Sequence, residues 1–170
     1  MPREPWRIAV LLAIEVTILA AIPWRQLAAR SSGQSVTLRT APVDPFDHLS
    51  GYYVALGYEV EQQPSAAGAA LARRDLLWIT VERAEPAWRL VSVTREKPPP
   101  ASGLVSLRAH WDGRRARIEG AGAFYVPEKR RREIEAAIQR QGGALVDLKV
   151  DEDGHVAPMK LRAGGLVLGQ

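Results

Sequence analysis

The run Ile8–Ile22, IAVLLAIEVTILAAI, is apolar except for Thr17 and one acidic residue, Glu15, at its centre. Such a run must leave water, and it divides the chain into a short apolar leader and a polar remainder. A spanning helix needs about 20 mostly apolar residues at about 1.5 Å each. The strict run is short of that. Trp6, Pro23 and Trp24 extend it, and Trp is enriched at both membrane interfaces. Arg7 and Arg25 can snorkel to the headgroups, and Pro23 stops the helix. The expectation is an N-terminal transmembrane helix, with residues 1–29 as anchor and 30–34 as a polar linker. Residues 35–170 then form a single β-rich soluble domain. Two alternatives stand beside the anchor. Arg3 and Arg7 suit the start of a cleavable signal peptide, but PWRQLAARSSG holds no clean small-x-small cleavage site. The other alternative is a buried helix of a soluble domain.

Glu15 weighs against a span, because an acid or base at the bilayer centre costs several kcal/mol, about 2.5–3.5 for Asp, Lys or Arg. It reads either as an acid tolerated by its apolar neighbours or as a contact to a helix of an integral membrane partner. A proton or ion pathway through so short a helix is the remotest reading. Arg3 and Arg7 precede the run and Arg25, Arg30 and Arg39 follow it, nearly a tie for the positive-inside rule. The short leading tail favours a cytoplasmic N-terminus and an extracytoplasmic domain at the bacterial cell membrane.

Of the 170 residues, about 140 remain for the domain, enough for one real core. Cysteine is absent, which excludes disulfides, thiolate nucleophiles and cysteine zinc sites. The net charge of +4 favours anionic surfaces or acidic partners without demanding them.

Short alternating segments dominate the remainder. Ser35–Thr40, Tyr52–Val60, Leu76–Arg83, Trp88–Arg95 and Leu104–Trp111 read as strands. Asp112-Gly113 is a hairpin signal leading into Arg115–Ile118. Phe124–Val126, Ala144–Val150, Val156–Leu161 and Leu166–Leu168 continue the sheet, with a turn at Asp151–Gly154. Gln62–Arg73 is an Ala-rich loop. Pro127–Gln141 is the one clear soluble helix: Pro stands at its start, Ile134, Ala137, Ile138 and Gln141 make one stripe, and Gly142-Gly143 ends it. The fold class expected is α+β: the transmembrane helix plus about eight strands of mainly antiparallel sheet, with one amphipathic helix over about 127–141.

The segment Val43–Val60, VDPFDHLSGYYVALGYEV, resembles a family of bacterial membrane-anchored proteins named for a G-D-Y-x-x-L-x-Y motif. Gly51, Tyr53, Leu56 and Tyr58 match it, as do Val43, Asp44, Pro45 and Asp47 in a V-D-P-x-D segment upstream. Tyr52 stands where the family has Asp. The resemblance runs on through Tyr125–Glu128 at the helix start, a strand, an Asp-Gly turn and a last strand. It implies an anchored protein and assigns no reaction. In the residues themselves, Val54, Leu56 and Tyr58 share one face of a strand, and Gly51 can make the turn into it. An Asp after Gly51 could accept backbone N–H groups of that turn, and Tyr52 cannot, so no catalytic Asp carries over. The motif reads as structural, with a groove using Tyr53 or Tyr58 as the alternative.

Chemistry-bearing residues are scattered. Ser31, Ser32 and Ser35 lie near the apolar run and could serve a Ser-Lys hydrolase of signal-peptidase layout, with Lys97, Lys129, Lys149 or Lys160 as base. His48 with Asp44 and Asp47 is at most a weak divalent site, and His110 and His155 lack ligand spacing. Asp151, Asp153 and Gly154 resemble half a calcium loop without its closing Glu, which suits a hairpin turn. Lys129, Arg130, Arg131 and Arg132 put four cations at a helix start, either a solvated face or a contact to anionic headgroups or an acidic partner. No cofactor is implied, and no basic-aromatic platform for nucleic acid accompanies the run. The functional expectation is a non-enzymatic, single-pass anchored accessory subunit that binds an integral membrane partner. The alternatives are an anchored serine hydrolase and a module binding a small ligand or envelope polymer.

Overall fold

Among the described residues, ten strands and a helix over residues 131–141 follow from the periodicities of the chain, beside a helical stretch at 12–17. A computed structural model describes residues 6, 10, 12–17, 33–41, 53–62 and 71–169. The strands are β1 (Gln34–Arg39), β2 (Tyr53–Ala55), β3 (Leu76–Glu82), β4 (Arg89–Thr94), β5 (Leu104–Trp111), β6 (Ala116–Ile118), β7 (Ala123–Tyr125), β8 (Leu145–Val150), β9 (Val156–Ala163) and β10 (Leu166–Gly169). The helix α1 is Arg131–Gln141. A first sheet has the order β1-β8-β9-β10 and a second the order β4-β3-β5-β6, with β2 and β7 forming a ribbon. All pairings are antiparallel.

Each sheet turns one face to a common core. Val36 and Leu38 of β1, Val146 and Leu148 of β8 and Leu161 of β9 meet Leu77, Ile79 and Val81 of β3 and Leu107 of β5 in one cluster. Their neighbours along each strand point outward, as the two-residue period requires. Strand β3 departs from this most, since Trp78 and Thr80 on its other face are buried too. The β8–β9 turn covers them. Gly154 O accepts the N–H of Arg108 at 2.8 Å. A Cβ on Gly154 would lie 2.6 Å from the Trp78 ring. At the opposite edge the N–H of Trp88 reaches Thr37 O at 2.8 Å, tying the β3–β4 connection to β1. Ile134 and Ala137 seat α1 in the core against β9 and β2, and Gly142 ends the helix in the left-handed conformation at φ 66°.

The expected N-terminal transmembrane helix is corrected by this structure. Residues 12–17 are helical, but among the described residues no helix is long and apolar enough to cross a membrane. The apolar run was short for a span, was interrupted by Glu15, and relied on flanks that include a helix-stopping proline. Trp6, Val10, Leu12, Ile14 and Val16 are exposed and take no part in the core. The rest of the 1–29 segment lies outside the described residues, as do most of the linker, the 42–52 loop and most of the Ala-rich stretch. The mainly antiparallel β architecture and the single amphipathic helix stand, with ten strands in place of about eight. The long strand expected over Tyr52–Val60 is instead three residues of β2, an isolated bridge between Thr40 and Tyr58, and a 3-10 turn at Glu59–Glu61.

Candidate functional site

The motif segment is stitched into the domain from both sides. Leu56 N–H donates to Gly122 O, and Ala41 N–H donates to Gly57 O, both at 2.9 Å. In the ribbon, Val54 pairs with Phe124 and Tyr53 with Tyr125. Leu56 and Tyr58 are buried, Tyr58 completely. The Tyr58 hydroxyl donates to Ala121 O at 3.0 Å, which ties the end of the motif to the chain just before β7.

Three residues on, Glu61 is the most deeply buried charged side chain described, at 2% exposure. Its carboxylate accepts the N–H of Tyr58 at 3.1 Å and the N–H of Ile118 at 2.8 Å. One carboxylate thus closes the 3-10 turn and pins it to β6. Arg117 Nη1 stands 3.6 Å from Glu61 Oε2, and Arg117 Nε stands 3.4 Å from Asp112 Oδ2. Burial pushes the Glu61 carboxyl up, against the pull of its two backbone donors and of Arg117 and Arg115. Burial, then the Glu61 charge, drives the Tyr58 phenol far above its usual range. At Asp112, partial burial acts upward, but the N–H groups of Arg115 and Arg114 and the guanidiniums of Arg117 and Arg115 outweigh it, so its carboxyl is lowered. Tyr58 and Glu61 are out of reach of a substrate; this cluster is a lock between the motif, β6 and β7. Sequence reasoning passed over Glu61. The available signal was its spacing, since a carboxylate three residues past a turn start can reach back to the first N–H.

Among the described residues, the other expected site residues do not gather around this lock. Gly51, Asp44, Pro45, Asp47 and His48 lie outside the described residues, as do Ser31 and Ser32. Glu15 is exposed in the helical stretch 12–17. Lys129 and Arg130 occupy a 3-10 turn at Glu128–Arg130, and Arg131 and Arg132 begin α1. Arg130 pairs with Glu133 at 3.2 Å, while Lys129 and Arg132 are exposed. The acidic turn before β9 satisfies itself: Asp151 Oδ1 accepts the N–H groups of Asp153 and His155 at 3.0 and 2.8 Å. Among the described residues no three His, Asp or Glu side chains gather to hold a metal. Ser35 stands directly across from Lys149 in the β1–β8 pairing, but the Lys149 ammonium donates to Gly33 O at 2.9 Å.

A second arrangement was not foreseen at all. On the solvent side of the first sheet, Arg39, Leu145, Arg162 and Val167 form one row across β1, β8, β9 and β10. The next row holds Thr37, Asp147, Lys160 and Gly169, and Ser35 and Lys149 follow. Asp147 Oδ1 accepts from Arg162 Nη2 at 2.6 Å and from the Thr37 hydroxyl at 2.7 Å, which orients the guanidinium. Among the described residues, Arg39 has a 4.0 Å approach to the exposed Glu59. These cations are far apart in sequence, and only the strand register puts them side by side.

No curated protein and no solved structure was found to match the chain. The family model described as GDYXXLXY protein matches residues 15–161, which take in the motif segment, the Tyr58–Glu61 lock, both sheets up to β9 and α1. This chain therefore belongs to the GDYXXLXY protein family.

Proposed function

We propose that this chain is a non-enzymatic accessory protein whose β domain binds an integral membrane protein at the bacterial membrane surface, on the extracytoplasmic side. The fate of the family motif carries this reading. Leu56 and Tyr58 are spent on the interior, and the Tyr58 hydroxyl is fully engaged by a backbone carbonyl. A motif used this way builds a rigid scaffold and leaves recognition to the outer faces. Attachment at a membrane is supported by the apolar composition of Ile8–Ile22 and by side chains there, such as Leu12 and Ile14, that are exposed instead of joining the core.

The test is photo-crosslinking in cells from the exposed positions Val91, Tyr125 and Val167 of the full chain. A reproducible adduct with one integral membrane protein from at least one position is expected. No adduct from any of them would overturn the reading. Protease accessibility of the domain in spheroplasts checks its side of the membrane. The Ser35–Lys149 juxtaposition favours one second reading, a Ser-Lys hydrolase. A serine-reactive acylating probe that labels the parent but not Ser35→Ala would establish it, and absence of labelling would end it.

A further inference from the structure

Resting on that reading, we propose that the solvent side of the β1-β8-β9-β10 sheet, centred on Arg162, is the docking surface, and that its occupant is an extended acidic segment of the partner protein. The outward positions of this sheet carry Arg39, Lys149, Lys160 and Arg162 against the single carboxylate of Asp147. Arg83 and Glu85, at the edge beside β1, offset each other. Asp147 does not neutralise the row so much as aim it: its oxygen holds one Arg162 amine, while the Arg162 Nε is buried with no hydrogen-bond partner among the described residues.

The shape favours a peptide over a headgroup layer. Arg162 and Leu145 lie between two open concavities that share them. One, of about 530 Å³, is bounded by the end of α1 and the β9–β10 turn. The other, of about 610 Å³, is bounded by residues 83–88 of the β3–β4 connection. Arg162 and Leu145 thus sit between two walls, while Arg39 and Val167 toward the ends of the row are exposed. A planar bilayer surface would meet projecting cations first, such as the exposed Lys129 and Arg132 at the helix start. Neighbouring strands lie about 4.8 Å apart, so Arg39 and Arg162, two strands apart in one row, are separated by roughly 10 Å. An extended segment in the polyproline II form rises about 3.1 Å per residue with about three residues per turn, so carboxylates three residues apart lie on one side, about 9 Å apart, and match that separation. Leu145 between the two arginines and the exposed Val167 at the end of the row offer apolar contact to the intervening side chains.

Binding of the full chain to a fluorescent peptide with glutamate at every third position tests this. Its glutamine counterpart and phosphatidylglycerol vesicles are the comparison ligands. Arg39→Glu and Arg162→Gln together should weaken glutamate-peptide binding about tenfold or more, the loss of roughly 1.4 kcal/mol of charge pairing. Lys129→Glu with Arg132→Glu should leave it within about twofold. Arg39→Glu alone, which breaks no close contact among the described residues, should give part of the loss and guards against a folding defect in the pair. Equal binding of both peptides, no binding of the glutamate peptide by the parent, or indifference to the row variants overturns the proposal. Vesicle binding that depends on Arg39 and Arg162 while the peptide fails would replace it with a headgroup surface. In cells, an adduct retained by the row variants sinks the docking surface alone, whereas no adduct in the parent sinks the partner reading.

Discussion

Replacing Glu61 with leucine isolates what the buried carboxylate contributes. Leucine is of similar length and would fill the space, but it accepts no hydrogen bond. The N–H groups of Tyr58 and Ile118 would be stranded beside a side chain that is 2% exposed. A buried donor left without a partner costs about 1–3 kcal/mol, so two cost about 2–6 kcal/mol. Against this, removing a carboxylate that burial disfavours returns part of the loss. The balance is a destabilisation of about 2–4 kcal/mol, a large part of a stability of about 5–15 kcal/mol. Glu61→Gln keeps one oxygen for one N–H and should lose about half as much, because the accepting oxygens matter here more than the charge. Urea unfolding of the full chain at pH 7, followed by tryptophan fluorescence, reads the difference. With a slope of about 2 kcal/mol per molar, the leucine variant should unfold about 1–2 M earlier. A midpoint within about 0.3 M of the parent would refute the reasoning, since it would mean that neither N–H depends on Glu61.

Three further outcomes follow from the same geometry. Tyr58→Phe leaves the buried Ala121 carbonyl without the hydroxyl that reaches it at 3.0 Å, and should cost about 1–2 kcal/mol in the same urea assay. Gly154→Ala combines a φ of 78° with a Cβ only 2.6 Å from Trp78 and 2.9 Å from Ser106 O. It should cost at least about 2 kcal/mol and alter the near-ultraviolet circular dichroism of Trp78. The pH profile should carry two opposed slopes. Glu61, raised in the folded state, contributes stability that is fully present below its unfolded pKa and is lost as pH rises through the folded value. Asp112, lowered in the folded state, contributes stability above its unfolded pKa that is lost as pH falls through the folded value. Urea midpoints measured from about pH 3 to 8 should therefore flatten on the upper side in Glu61→Gln and on the acid side in Asp112→Asn.

Local pattern carried most of the secondary structure. The alternation in LVSLRAHW became β5 with the same bounds, and the proline, stripe and double glycine around 127–143 bracketed α1. These signals are legible because burial on one face imposes a period of two on a strand and of 3.6 on a helix. The same logic misled over Tyr52–Val60. Alternation continues through Tyr58 and Val60, yet the chain turns there, because the Glu61 carboxylate draws back onto the Tyr58 N–H and across to Ile118. That contact joins residues 57 positions apart, beyond any local window. The apolar run Ile8–Ile22 is short of a span, and its apolar composition and flanks do not by themselves make a membrane-crossing helix.

By itself, then, the sequence determined the β-rich class, the one soluble helix and the membership of the motif segment in its family, since each depends on neighbours a few residues apart. Only the tertiary structure decided that Tyr58 and Glu61 are locked inside and that Arg39, Lys149, Lys160 and Arg162 share one outer face. Both depend on strand order and register. A slip of one residue would turn Lys149 of β8, or Lys160 and Arg162 of β9, into the core, and the cost of burying such cations helps hold the register where it is.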